Sequence, residues 1–131
     1  MKSYPKIYNL GNVAIDNIFD SNVQVEEKAD GSNYSFGVIN GELVCRSKTT
    51  ILNILAPEKM FNLAVATSKE LQSLLKPDWV YRTEYLAKPR HNALHYDRIP
   101  NKHLLGFDIE RSDGTYLTYS EKKEEFARIG L

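Results

Sequence analysis

The dipeptide Asn40-Gly41, set between two short apolar-rich runs, constrains this chain more than any other feature. Tyr34-Ser35-Phe36-Gly37-Val38-Ile39 precedes it and Glu42-Leu43-Val44-Cys45-Arg46 follows. Both turn residues accept positive φ, so they close a two-residue turn of the primed type, whose twist matches that of paired strands. An antiparallel hairpin is therefore expected. Upstream, Val23 and Val25 alternate with Gln24 and Glu26, which predicts a half-buried strand leading into Lys28. Asp30-Gly31 then marks a turn, since glycine takes positive φ without steric cost.

Downstream, Pro57 and Glu58 suit the opening turn of a helix. Met60, Phe61, Ala64, Leu71, Leu74 and Leu75 recur near helical spacing until Pro77 ends the run. Trp79 to Leu86 is rich in aromatic and β-branched residues and reads as a strand. Ala87 to His103 is a long polar loop. Leu104 to Glu110 is another strand, which Ser112-Asp113-Gly114 turns into Thr115 to Tyr119. Ser120 is the expected cap of a last helix containing Lys122 to Ile129, without a capping box because Lys123 occupies the N3 place. The first twenty residues form a lead-in with one short element. The sum is an α+β architecture, mostly antiparallel strands with two helices.

Composition bounds the function classes. At 131 residues the chain is the size of one domain, and 42% hydrophobic with 26% charged residues is a globular profile. Cys45 stands alone, so no intrachain disulfide forms and a reducing compartment is expected. Lysines plus arginines equal aspartates plus glutamates at 17 each, which removes any bulk electrostatic argument for nucleic-acid binding. No apolar run approaches the roughly 20 residues of a membrane span, and Met1-Lys2-Ser3-Tyr4-Pro5-Lys6 leads into no signal-type apolar stretch. A cytoplasmic domain without membrane contact is expected.

Lys28-Ala29-Asp30-Gly31-Ser32-Asn33 is the stretch most suggestive of chemistry. It sets a lysine just before a glycine turn whose backbone N–H groups can face a ligand. A lysine attacks only when unprotonated, so its pKa must fall several units from about 10.4. Glu26 and Glu27 oppose this, because carboxylates favour the ammonium form. On these residues alone, an exposed lysine beside an ordinary turn remains open.

Other segments add to it. Cys45-Arg46-Ser47-Lys48-Thr49 follows one hairpin later, Tyr81-Arg82-Thr83-Glu84-Tyr85-Leu86 lies on a strand, and Phe107-Asp108-Ile109 lies on the next. Glu84 shares a face with Val80 and Arg82, and a carboxylate there can accept two ribose hydroxyls or pair with Arg82. Arg46 ends its strand with a planar fork suited to phosphate, or is a solvated edge residue. Leu105, Phe107 and Ile109 share one face, the pattern of a core stripe, with Asp108 pointing the other way. In Ala87 to His103, Lys88, Arg90, Arg98 and Lys102 outnumber Asp97, and His91, His95, Tyr96 and His103 are interleaved. That loop suits phosphate contact and base stacking, or is a solvated surface. Pro89 argues against a preformed zinc site at His91 and His95.

Taken in order, these four elements resemble the motifs of the covalent nucleotidyltransferases, the superfamily of nucleic-acid ligases and capping enzymes. With Asn33 at the class-dependent place of the first motif, the chain is most similar to the ATP-dependent RNA ligase branch. The resemblance covers Val23 to Ile109. It implies the front part of an adenylylation domain (ATP-grasp-like) spanning residues 1–131, with ATP and Mg2+ as cofactors and RNA 5′-phosphate and 3′-OH ends as partners. It implies Lys28 as the nucleophile that becomes lysyl-AMP. It also implies nucleotide contacts from Glu27, Asp30, Asn33, Arg46 and Glu84, with Phe107 stacking on adenine. No metal ligand is assigned.

The family's later Glu-Gly and Lys-x-Lys motifs do not occur in this sequence. Three expectations follow: a truncated reading frame, a further segment or partner chain that supplies the rest, or a degenerate binding module. A non-catalytic nucleotide- or RNA-binding remnant and a DNA ligase or capping-type enzyme are the alternatives to an RNA ligase.

Overall fold

In the computed structural model, which describes residues 1–131, the hairpin forms one side of a four-stranded antiparallel sheet. β1 (Ser32–Ile39) turns at Asn40 and Gly41, with φ of 50° and 83°, into β2 (Glu42–Ser47). β3 (Val80–Tyr85) pairs with the other side of β1, and β4 (Leu104–Glu110) lies beyond it, giving the order β2-β1-β3-β4. Helices α1 (Asn62–Leu71) and α2 (Tyr119–Ile129) pack against one face. The α+β architecture with two helices is the one the sequence pattern leads to.

Alternation along the strands makes that face apolar. Tyr34, Phe36, Cys45, Tyr81, Tyr85 and Ile109 are fully or almost fully buried there, beneath Phe61, Val65 and Leu71 of the first helical region and Phe126 of the second. The rings form a continuous tier: Phe36 stacks on Tyr81 at 5.5 Å between centroids, and Tyr34 on Phe61 at 6.0 Å. The buried Tyr34 hydroxyl bonds to Ser68 Oγ at 2.8 Å, so its polar end is satisfied inside the core. Burial raises the Cys45 thiol pKa above its ordinary value. Gly106 lets α2 approach β4, since a Cβ there would lie 2.5 Å from the Phe126 ring.

Several local expectations are corrected. Residues 23–28 form no strand; Val23 and Val25 are 41% and 83% exposed. Both neighbours of β1 are taken by β2 and β3, so the preceding segment has no edge of β1 to join. Thr115 to Tyr119 likewise forms only an isolated bridge, Glu110 to Tyr116. The helical region is split: α1 is flanked by 3-10 turns at Lys59–Phe61 and Gln72–Leu74, and Met60 and Leu74 are exposed. The last helix begins earlier than expected, at Tyr119 with Thr118 as N-cap. It does have a capping box: the Glu121 carboxylate accepts the Thr118 N–H and hydroxyl, both at 2.8 Å. Counting from Ser120 placed a lysine where the true register places an acid.

α2 is tied to β3 by a buried carboxylate. Glu125, 5% exposed, accepts from the Tyr81 hydroxyl at 2.7 Å, from Arg128 Nε and Nη2 at 2.9 and 2.6 Å, and pairs with Lys76 at 3.1 Å. Burial would raise its pKa, but the bonds from Arg128, Tyr81 and Lys76 lower it from 4.5 to about 2. A depressed carboxylate contributes stability that is complete above its unfolded pKa and is lost as pH falls through the folded one. Glu125→Ala is expected to cost about 1–3 kcal/mol by stranding the Tyr81 hydroxyl. Urea titrations should also show a flatter loss of stability on acidification in the variant than in the parent chain.

Candidate active site

The face opposite the core is polar, and the strand register decides which side chains meet there. Asn33 lies directly across from Glu84, and Ser35 lies between Arg46 on one side and Arg82 on the other. Residues two apart share a face, so Asn33, Arg46 and Glu84 stand on one surface together with Ser35 and Arg82. The alternation expected for Val80, Arg82 and Glu84 holds.

Arg82 organises this surface. It is 1% exposed and donates to the Lys2 carbonyl at 2.9 Å, to Ser35 Oγ at 3.2 Å and to the Glu110 carboxylate. Its Nε is buried without a partner. Arg82 therefore pairs with Glu110, which leaves Glu84 out of that ion pair. A bulge between Arg82 and Thr83 sets Asp108 against Arg82 and Gly106 against Thr83, so Phe107 is the extra residue. The expected stripe of Leu105, Phe107 and Ile109 is thereby broken. Ile109 turns to the core at 0% exposure, while Leu105 is 42% exposed. Phe107 and Asp108 both meet Tyr4: the rings lie edge to face at 5.0 Å, and the Tyr4 hydroxyl donates to Asp108 at 2.8 Å. Asp108 thus shares the side of Phe107 instead of opposing it.

Lys28 sits at the end of this surface. It is exposed, and no side-chain hydrogen bond or ion pair holds it. Its charge nevertheless acts on both carboxyls, adding to the bonds that lower the Asp30 pKa and opposing the burial that raises that of Glu84. Glu26 points elsewhere, bridged to Lys122 at 2.7 Å. Asp30 faces the long loop: its Oδ2 accepts the Ala93 and Leu94 N–H groups, both at 2.8 Å. The Leu94 N–H leads the influences that hold its pKa below the ordinary range. Gly31 donates its N–H to Glu84 Oε1 at 3.0 Å. Burial raises the Glu84 pKa, opposed by that N–H and by the charges of Lys28 and Lys48. Glycine is required at 31 because a Cβ would lie 2.4 Å from the Tyr85 carbonyl and 2.9 Å from Glu84 Cγ.

Arg46 donates to the Thr49 carbonyl at 3.2 Å, and its Nε is buried without a partner. Glu27 is separated from the other candidates. It lines a cleft of about 850 Å³ between the segment before β1, the end of the long loop and α2, walled by Tyr96, Arg98, Tyr119 and Lys122. The structure thus brings Asn33, Arg46, Glu84 and Phe107 to one face, sets Lys28 at its end, gives Asp30 to the loop, and leaves Glu27 on the flank.

Three neighbours were given no assigned role from the sequence: Lys48 and His91, named only within a motif and a polar loop, and Tyr4. Lys48 had a signal, since counting back from the Asn40-Gly41 turn places it one step past the Tyr34–Ser47 pair, beside Asn33. His91 bonds through Nε2 to Ser32 Oγ at 2.8 Å. Tyr4 arrives from the far end of the chain, and no local pattern announces it.

The family model for RNA ligase matches residues 21–131, a span that takes in every strand and both helices. No curated protein matches the chain.

Gly31→Ala is expected to lower stability by about 1–3 kcal/mol, because backbone rather than a flexible side chain must give way. Asn33→Ala, two residues on and without such a contact, should stay within about 0.5 kcal/mol of the parent. Thermal melting of the two variants checks both.

Proposed function

Because the chain belongs to the RNA ligase family, we propose that it performs the adenylyl-transfer chemistry of an ATP-dependent RNA ligase, with Lys28 as the nucleophile. The observation that carries this reading is the convergence of Asn33, Arg46 and Glu84 on one polar face with Lys28 at its end. In the proposed reaction Lys28 Nζ, having given a proton to solvent, attacks the α-phosphorus of ATP. The N–P bond forms as the bond to pyrophosphate breaks, leaving a phosphoramidate. The AMP then passes to an RNA 5′-phosphate, and a 3′-OH displaces it to join the strands.

Each residue has a role suited to its surroundings. One Glu84 oxygen is held by the Gly31 N–H, which orients the carboxylate so that its other oxygen can accept ribose hydroxyls. Arg46, whose Nη2 donates to the Thr49 carbonyl, has further guanidinium N–H groups to offer phosphate or ribose oxygens. Phe107, turned by the bulge away from the core, offers an aromatic ring to the base. No group of three or more His, Cys, Asp or Glu side chains is disposed to hold a metal ion. Magnesium enters with the triphosphate as its counter-ion, part of the substrate.

A specific observation favours one rival. Lys28 is exposed, with no side-chain partner, beside the carboxylates of Asp30 and Glu84 that feel its charge. Nucleotide binding without transfer is the reading that this alone would support. Intact-mass measurement after incubation with ATP and magnesium separates the two. An AMP adduct is expected on the parent chain and none on Lys28→Ala, while Glu84→Ala should slow its formation on the order of 10²-fold. ATP binding by calorimetry without any adduct would establish the rival. Comparing nicked RNA with nicked DNA tests the nucleic-acid preference.

A further inference from the structure

We propose that residues 91–96 of the long loop are a clamp that positions the Lys28 backbone, with His91 as its central positioning residue; the proposal rests on Lys28 being the nucleophile. Consecutive residues of the segment just past Lys28 are each held from this one loop. The Asp30 N–H donates to the Tyr96 hydroxyl at 2.7 Å, and the Asp30 carboxylate accepts from Ala93 and Leu94. The Gly31 carbonyl accepts from Asn92 Nδ2 at 2.5 Å, and Ser32 Oγ meets His91 Nε2 at 2.8 Å. Only Ala29, 8% exposed, separates Lys28 from this row of bonds. Before Lys28, residues 22–28 have no regular structure and are exposed, with the Glu26–Lys122 bridge as their side-chain tie to another element, so the clamp and the Gly31–Glu84 bond restrain the short stretch between the lysine and β1. A nucleophile needs a fixed anchor and a side chain able to reach, and this arrangement supplies both.

His91 does its part as a neutral ring. Its Nδ1 accepts the Ala87 N–H at 3.1 Å, so Nε2 bears the proton and donates it to Ser32 Oγ. Its edge-to-face contact with Tyr85, at 5.4 Å, seats the ring on β3. The charged groups acting on it are Lys88 from its own loop and Asp30 from the clamped segment. Burial and Lys88 lower its pKa below 6.5, while Asp30 opposes them.

The test uses the whole chain and two side-chain mimics. Asparagine at 91 can copy Nδ1 but falls short of Ser32, whereas glutamine can place an N–H where Nε2 is. Two rates are read for each variant: trypsin cleavage after Lys28, by mass spectrometry, and single-turnover AMP transfer at saturating ATP. His91→Ala and His91→Asn are expected to speed cleavage about tenfold and slow transfer about tenfold, the effect of one hydrogen bond, with ATP affinity unchanged. His91→Gln should restore both rates, and Ser32→Ala added to His91→Ala should change neither further. If His91→Ala does not fold, Ser32→Ala removes the same bond from the other side and is read in its place. Unchanged cleavage in these variants overturns the clamp, whether or not transfer slows. If the parent chain forms no AMP adduct, the nucleophile reading fails, and the cleavage rates alone then decide whether the clamp exists.

Discussion

The register between β1 and β3 is the constraint on which the rest of this structure depends. Pairing Asn33 with Glu84 and Ser35 with Arg82 sends Tyr34, Phe36, Tyr81 and Tyr85 to one face as a set. A slip of one residue would send the aromatic tier into water and the charged set into the core. Core packing and site assembly are thus one event seen from two sides of a sheet. The helices bury the aromatic face, and the energy of that burial holds the polar face in place.

That polar face is itself held tightly at one end and loosely at the other. Around Arg82, Ser35, Glu110 and the Lys2 carbonyl form a buried network, and the chain start is drawn in through Tyr4. Removing one partner of such a network would leave a buried charge exposed to a poor solvent, which makes it rigid. At the other end Lys28 and Lys48 are exposed. A rigid floor with exposed cations at its rim is what the proposed polyanionic substrate would meet.

Much of this was legible in the sequence. The Asn40-Gly41 turn gave away its hairpin because only a primed turn fits those residues, and the runs Trp79 to Leu86 and Leu104 to Glu110 contain β3 and β4 almost to their ends. What failed did so for identifiable reasons. Val23 and Val25 alternate as strand residues do, but alternation says nothing about whether an edge is available. The alternation of Leu105, Phe107 and Ile109 read as a core stripe, against the site role that the resemblance gave Phe107, because strict alternation cannot foresee an inserted residue in the pairing. The Thr118–Glu121 box was missed by a shift of two residues. Lys28, Asn33, Arg46 and Glu84 were singled out by resemblance to family motifs; register accounts for the shared face of Asn33, Arg46 and Glu84, while Lys28 lies in no strand. Tyr4 and His91 could not be given a role, because their partners lie 104 and 59 residues away.

The single thiol has a consequence of its own. Cys45 is wholly enclosed between Tyr34 and the first helix, with its ionisation suppressed by that enclosure. An alkylating reagent can reach it only when the hairpin parts from the helix above it. The sulfur is therefore a built-in clock for opening of the β1–β2 hairpin, running without any label that would disturb the polar face. Because β1 joins that sulfur's neighbours to Asn33, the clock times the very breathing motion that would scramble the polar face.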